Sequence, residues 1–123
     1  MTLVDSVGWI EFFTNGPLAA RYEKHLDSPG NIVPTIILFE VYKKIKREKS
    51  EEVALVAITT MQKARIVSLT EDLSLAAADV SLKYKLAMAD SIVYATALQN
   101  KATLVTSDKD LKNLPSVIYY PKS

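Results

Sequence analysis

Short apolar runs, each followed by helical patterning, recur along this chain and leave few folds open. The runs are Thr2–Val4, Asn31–Val33, Arg65–Leu69, Thr103–Thr106 and Val117–Tyr120. Strands this short and this apolar suit the buried interior of a parallel sheet, where both faces are covered. The helical patterns between them supply the crossovers that parallel strands require. The first covers Ser6 to Thr14, and a second, with Pro17 in its first turn, runs to Leu26. A third is expected over Ile36–Glu48 with Thr35 as its cap. Ser50 and Thr70 cap a fourth and a fifth, each followed by two acids that suit a helix start. Met88–Gln99 is the sixth, with Asn100 as a left-handed stop and a short helical turn at Asp108–Lys112. The expected fold is a three-layer α/β/α sandwich around a parallel sheet of four or five short strands, one domain over residues 1–123.

Composition removes whole classes of chemistry. The 123 residues carry 15 Lys+Arg against 14 Asp+Glu, so nucleic-acid binding would need a local patch rather than a polycation. With no Cys, thiolate catalysis and Cys-ligated zinc are impossible. A single histidine, His25, rules out a two-histidine acid–base pair, and its charged neighbours suggest a surface position. The three glycines, at 8, 16 and 30, cannot build a dinucleotide fingerprint or a phosphate-cradling loop. The longest uncharged run, residues 28–39, has 12 residues, whereas a membrane span needs about 20. Asp5 and Glu11 stand where a secretion signal would be basic and then apolar, so a cytoplasmic location without membrane contact is expected. Carboxylates, hydroxyls and an oxygen-bound metal remain.

Four carboxylates draw attention. Asp5 ends the first strand and Asp108 follows the fourth, where parallel α/β sheets bind ligands. Each also reads as an ordinary helix cap. Glu40 is the sole charge in Ile36–Tyr42, and Asp90 the sole charge in Leu86–Tyr94. Burying such a group costs several kcal/mol or raises its pKa. A buried ion pair, or for Asp90 a helix-start role, would also account for them. Were all four to share one end of the sheet, a divalent cation would relieve their repulsion. Mg²⁺ or Mn²⁺ prefers such oxygen donors. A metal of this kind activates water and steadies a phosphate's developing charge, which points to phosphodiester hydrolysis.

Leu3-Val4-Asp5-Ser6, Glu40 followed by Val41-Tyr42, Ala89 to Ala97 around Asp90, and Leu104 to Asp110 around Asp108 resemble the four motifs of the PIN-domain family. They occur in the family's order over nearly the whole chain. The short length resembles the VapC toxins of VapBC toxin–antitoxin pairs. The resemblance implies a metal-dependent endoribonuclease, a hydrolase acting on RNA, with Asp5, Glu40, Asp90 and Asp108 as metal-binding acids. It also implies Ser6 and Thr106 as auxiliary hydroxyls, Asp110 as an auxiliary acid, a VapB-type antitoxin as partner, and a homodimer. Asn100 stands where the family often has Gly, and Leu111 where it often has Phe.

Lys43, Lys44 and Arg47 lie three, four and seven residues beyond Glu40, on its helix face, where they could hold RNA phosphates. They would equally suit a solvated helix end. Trp9, Phe12 and Phe13 are expected in the core or at a dimer contact rather than stacked on bases. Two other classes compete: a non-catalytic RNA- or protein-binding module of the same fold, and a phosphoacceptor signalling domain. The second fits poorly, because Asp5 is followed by Ser6 rather than another acid, and the third strand ends at Thr70.

Overall fold

The computed structural model describes residues 1–122. The elements are β1 (Thr2–Val4), α1 (Ser6–Phe13), α2 (Ala19–Leu26), β2 (Asn31–Pro34), α3 (Thr35–Glu48), α4 (Glu51–Met61), β3 (Arg65–Val67), α5 (Glu71–Tyr84), α6 (Met88–Gln99), β4 (Thr103–Thr106) and β5 (Val117–Tyr119). A 3₁₀ turn, Lys109–Leu111, separates the last two strands. All five strands are parallel, in the order β3-β2-β1-β4-β5. The right-handed crossover rule puts α1 to α4 on one face of the sheet and α5 and α6 on the other. In keeping with that division α1 packs on both α2 and α3, and α5 packs on α6.

The core lies where the strand pattern put it. Leu3, Val4, Ile32, Val33, Leu104 and Val105 are buried on the three central strands, and Ile37, Val41 and Ile45 form the inner stripe of α3. Gly8 sets the approach of α1. A Cβ there would overlap Val4 Cγ1 and the ring of Tyr22, so only glycine admits this contact. The Ser50 and Thr70 hydroxyls accept from the Val53 and Leu73 amides, as caps should.

Several boundaries differ from the sequence expectation. Thr35 is the first residue of α3 rather than its cap; Pro34 holds the cap position in extended backbone, and its side chain makes no capping bond. β3 stops at Val67, leaving Ser68 and Leu69 exposed before α5. The left-handed residue after α6 is Lys101, with φ 53°, whereas Asn100 has φ −97°. Asn100 instead spends its side chain, donating to the Thr96 carbonyl and accepting from Arg65. Trp9 is only 3% exposed, so it is core and not a dimer contact. His25 is half-buried, with Nε2 2.8 Å from the Tyr120 hydroxyl, rather than a free surface residue. No helix among the described residues is long and apolar enough to cross a membrane.

Candidate metal centre

The strand order reverses beside β1: its chain leads to β2 on one side, while β4 pairs on the other. Such a reversal opens a crevice at the carboxyl ends of the strands. Because Val4 is in register with Val105, the residues that follow these strands are brought side by side. Asp5 follows one strand as the cap of α1, and Asp108 follows the other as the cap of the 3₁₀ turn. The capping roles and the shared location therefore coexist. α3 brings in Glu40, beside its buried stripe, and α6 brings in Asp90 in its first turn, where the helix dipole favours an acid.

Asp5, Glu40, Asp90 and Asp108 line one small cleft of about 200 Å³, together with Ser6, Ser107 and Lys122. Asp5 is locked in place. Its Oδ1 accepts from the Ser6 amide at 2.8 Å and its Oδ2 from the Thr106 hydroxyl at 2.8 Å. The same hydroxyl accepts the Asp108 amide at 3.0 Å. Asp108 Oδ1 in turn accepts from the Asp110 amide at 2.9 Å. Oxygens of Asp90, Asp108 and Asp110 can all lie within 4.8 Å of one another, a spacing suited to one shared cation. Asp5 and Glu40 share the cleft but stand outside that tight group.

The electrostatics record the crowding. Burial raises the Asp5 carboxyl above its ordinary range, opposed by its bonds from Thr106 and Ser6. Burial also raises Glu40, and the neighbouring Asp5 charge adds to it. Asp90 is pushed up to about 7, first by burial, then by Asp108, with Asp5 and Asp110 adding repulsion. None of these four acids forms an ion pair among the described residues. That removes the buried ion pair as an explanation of Glu40 and Asp90.

The basic stretch of α3 fares differently. Lys43 lies over the Phe39 ring, 5.4 Å from its centroid, and Arg47 pairs with Glu48 at 3.3 Å. Neither lines the cleft, so the shared helix face does not bring them to the acids. Only Lys44 of the three borders the adjoining groove, where it pairs with Glu48 at 3.5 Å. Among the described residues the one cation in the cleft is Lys122, for which the sequence carries no local signal. Ser107, between Thr106 and Asp108, also lines the cleft, and its hydroxyl is 2.6 Å from that of the buried Tyr22.

A family model for the PIN domain matches residues 2–117. The chain belongs to the PIN-domain family. Comparison of folds adds relatives for this PIN domain. It is similar to a chain of a toxin–antitoxin complex from Klebsiella pneumoniae, with TM-score 0.85 and 24% identity over 99% of this chain and 100% of that one. It is also similar to VapC20 of Mycobacterium tuberculosis, a toxin that cleaves the sarcin–ricin loop, with TM-score 0.74 and 13% identity over 91% and 92% of the two chains. A DNA-bound VapBC complex from Salmonella typhimurium matches with TM-score 0.77 and 13% identity over 98% of each chain. At these identities the likeness is one of fold. Comparison with curated protein sequences gives no significant match.

Proposed function

We propose that this PIN domain is a Mg²⁺- or Mn²⁺-dependent endoribonuclease that acts as the toxin of a toxin–antitoxin pair. One observation carries the reading: acids from four distant segments, Asp5, Glu40, Asp90 and Asp108, line one cleft at the switch point of the sheet with no cation paired to them. An all-oxygen donor set suits a hard divalent ion. The raised Asp90 carboxyl fits as well: burial first, then the neighbouring Asp108, Asp5 and Asp110, disfavour its charge, and a bound cation would favour it. Asp90, Asp108 and Asp110 would hold the ion most closely, with Asp5 and Glu40 completing the negative field. A bound divalent ion supplies an acidified water and neutralises charge on a phosphate.

The chain's own contribution is orientation. Ser6 and Thr106 fix Asp5 from two sides, and Thr106 ties Asp5 to Asp108 through one hydroxyl. The carboxylates thus face the cleft in a set geometry before any ligand arrives, which lowers the cost of organising the site. VapC20, which cleaves the sarcin–ricin loop, supports RNA as substrate, and the toxin–antitoxin complexes support an antitoxin of the VapB type as partner; a homodimer and cytoplasmic action complete the proposal. The alternative, a binding module of the same fold, has no use for four acids held together with no ion pair and only Lys122 nearby among the described residues.

Purified protein should cleave RNA with Mg²⁺ or Mn²⁺ and stop with EDTA. Asp5→Asn should abolish cleavage and keep the fold. Cleavage that persists in EDTA would overturn the metal reading.

A further inference from the structure

We propose that the groove running from the acidic cleft along α1 to the carboxyl end of α3 is the track for the RNA strand, with Arg21, Lys44 and Lys122 holding its phosphates. This rests on the nuclease reading and assigns the path by which substrate reaches that site. An acidic cleft repels a polyanion, so cations beside it are needed to hold the strand. The groove supplies them. It encloses about 1000 Å³ against about 200 Å³ for the cleft, and Ser6, Val7 and Lys122 line both, so the two are continuous. Arg21, Lys44, Lys49 and Lys122 border it, opposed among the described residues by Glu11 and Glu48.

Two of these cations lie beside anchored residues of the C-terminal segment. The Arg21 guanidinium lies 4.8 Å from the centroid of the Tyr120 ring, an attraction that leaves its N–H groups free to bind phosphate. Tyr120 packs edge-on against Tyr22, and Tyr22 meets Ser107 in the cleft wall. Arg21 is thereby fixed relative to the acids. The Tyr120 amide donates to the Thr106 carbonyl at 2.9 Å, extending the pairing of β5 by one residue. That anchor brings Lys122, two residues on, to the junction of groove and cleft. Arg21 and Lys122 make no ion pair among the described residues. The pair between Lys44 and Glu48 is exposed and weak enough for a phosphate to replace.

The test is binding of a 5′-labelled single-stranded RNA by fluorescence anisotropy, in EDTA, over a series of salt concentrations. Arg21→Gln and Lys122→Gln should each lower the slope of log affinity against log salt by about 0.7, and the double variant by about twice that. Lys43→Gln, on the same helix as Lys44 but turned onto Phe39, should keep the wild-type slope. A double variant with the wild-type slope, or a Lys43→Gln loss equal to that of Lys122→Gln, would overturn the proposal. So would variants that bind RNA normally but no longer hold a co-expressed antitoxin, since the groove would then belong to the protein partner. The nuclease reading fails separately, as RNA left intact when Mn²⁺ replaces EDTA.

Discussion

The Thr106 hydroxyl donates to Asp5 Oδ2 at 2.8 Å, joining residues 101 positions apart at the ends of two neighbouring strands. Thr106 is wholly buried, and its oxygen also accepts the Asp108 amide. Thr106→Val keeps the shape and removes both partners. A largely buried carboxylate and a partly buried amide would each lose a bond, which should cost about 1–3 kcal/mol. Thr106→Ser should recover most of the loss. Urea unfolding of the three proteins in EDTA measures this, and a valine variant as stable as wild type would mean the hydroxyl contributes nothing.

The Asp90 carboxyl, raised to about 7, makes stability depend on pH. An unfolded aspartate releases its proton near 3.9. Between these values the folded, metal-free protein binds more protons than the unfolded one, so stability falls as pH rises from about 4 to about 7. Asp90→Asn removes that slope. Asp90 is partly open to solvent, so screening reduces the effect, and the variant should exceed wild type at pH 8 by on the order of 1 kcal/mol. Melts in EDTA at pH 5 and pH 8 give the comparison. If Asn instead costs 3–5 kcal/mol, as in breaking a buried pair, Asp90 has a cationic partner and the site is misread.

Metal should reverse the sign of the crowding. Free Mn²⁺ at a hundred times its dissociation constant should stabilise wild type by about 2.7 kcal/mol. Asp108 belongs to the tightest group of acids and caps the 3₁₀ turn that brings in Asp110. Asp108→Asn should therefore lose most of this gain while losing little stability in EDTA, since Asn also caps helices. Equal Mn²⁺ shifts in both proteins would place the ion away from Asp108.

Much of this site was legible because burial makes a lone charge conspicuous. Glu40 and Asp90 stood out inside apolar helices, and Asp5 and Asp108 lay at strand ends where parallel sheets bind ligands. Helix periodicity alone could not say which basic residues reach the cleft: Lys43 and Arg47 share a helix with Glu40 but lie against Phe39 and Glu48. Lys122 left no local signal. Its position depends on the Tyr120 amide pairing with Thr106, a contact between distant residues that no periodicity encodes. His25 was likewise misread, since its partner Tyr120 lies 95 residues away. The left-handed turn falls to Lys101 because Asn100 is itself the cap of α6, and the Ala102 amide closes back on the Ala97 carbonyl at 2.9 Å, which puts the left-handed residue between Asn100 and Ala102.

On α1 Trp9 is buried while Phe12 and Phe13 stay partly exposed, and the expected homodimer needs an apolar surface. The outer face of α5 offers one. Leu75 is 64% exposed, Leu82, two turns on, is 82% exposed, and Met88 at the start of α6 is 75% exposed. Between α5 and α6 runs a shallow groove lined by Leu69, Ala77, Ala78, Met88 and Ile92 together with three serines. Each leucine buried there is worth about 1.5–3 kcal/mol, so removing two should weaken association at least a hundredfold. Leu75→Glu with Leu82→Glu should therefore be monomeric at micromolar concentration in light scattering, while wild type is dimeric. The double variant should keep its melting temperature at high dilution, because both side chains already face solvent in the single chain. A wild type that is monomeric at that concentration would remove the dimer from the proposed function. A variant that stays dimeric would move the contact off α5.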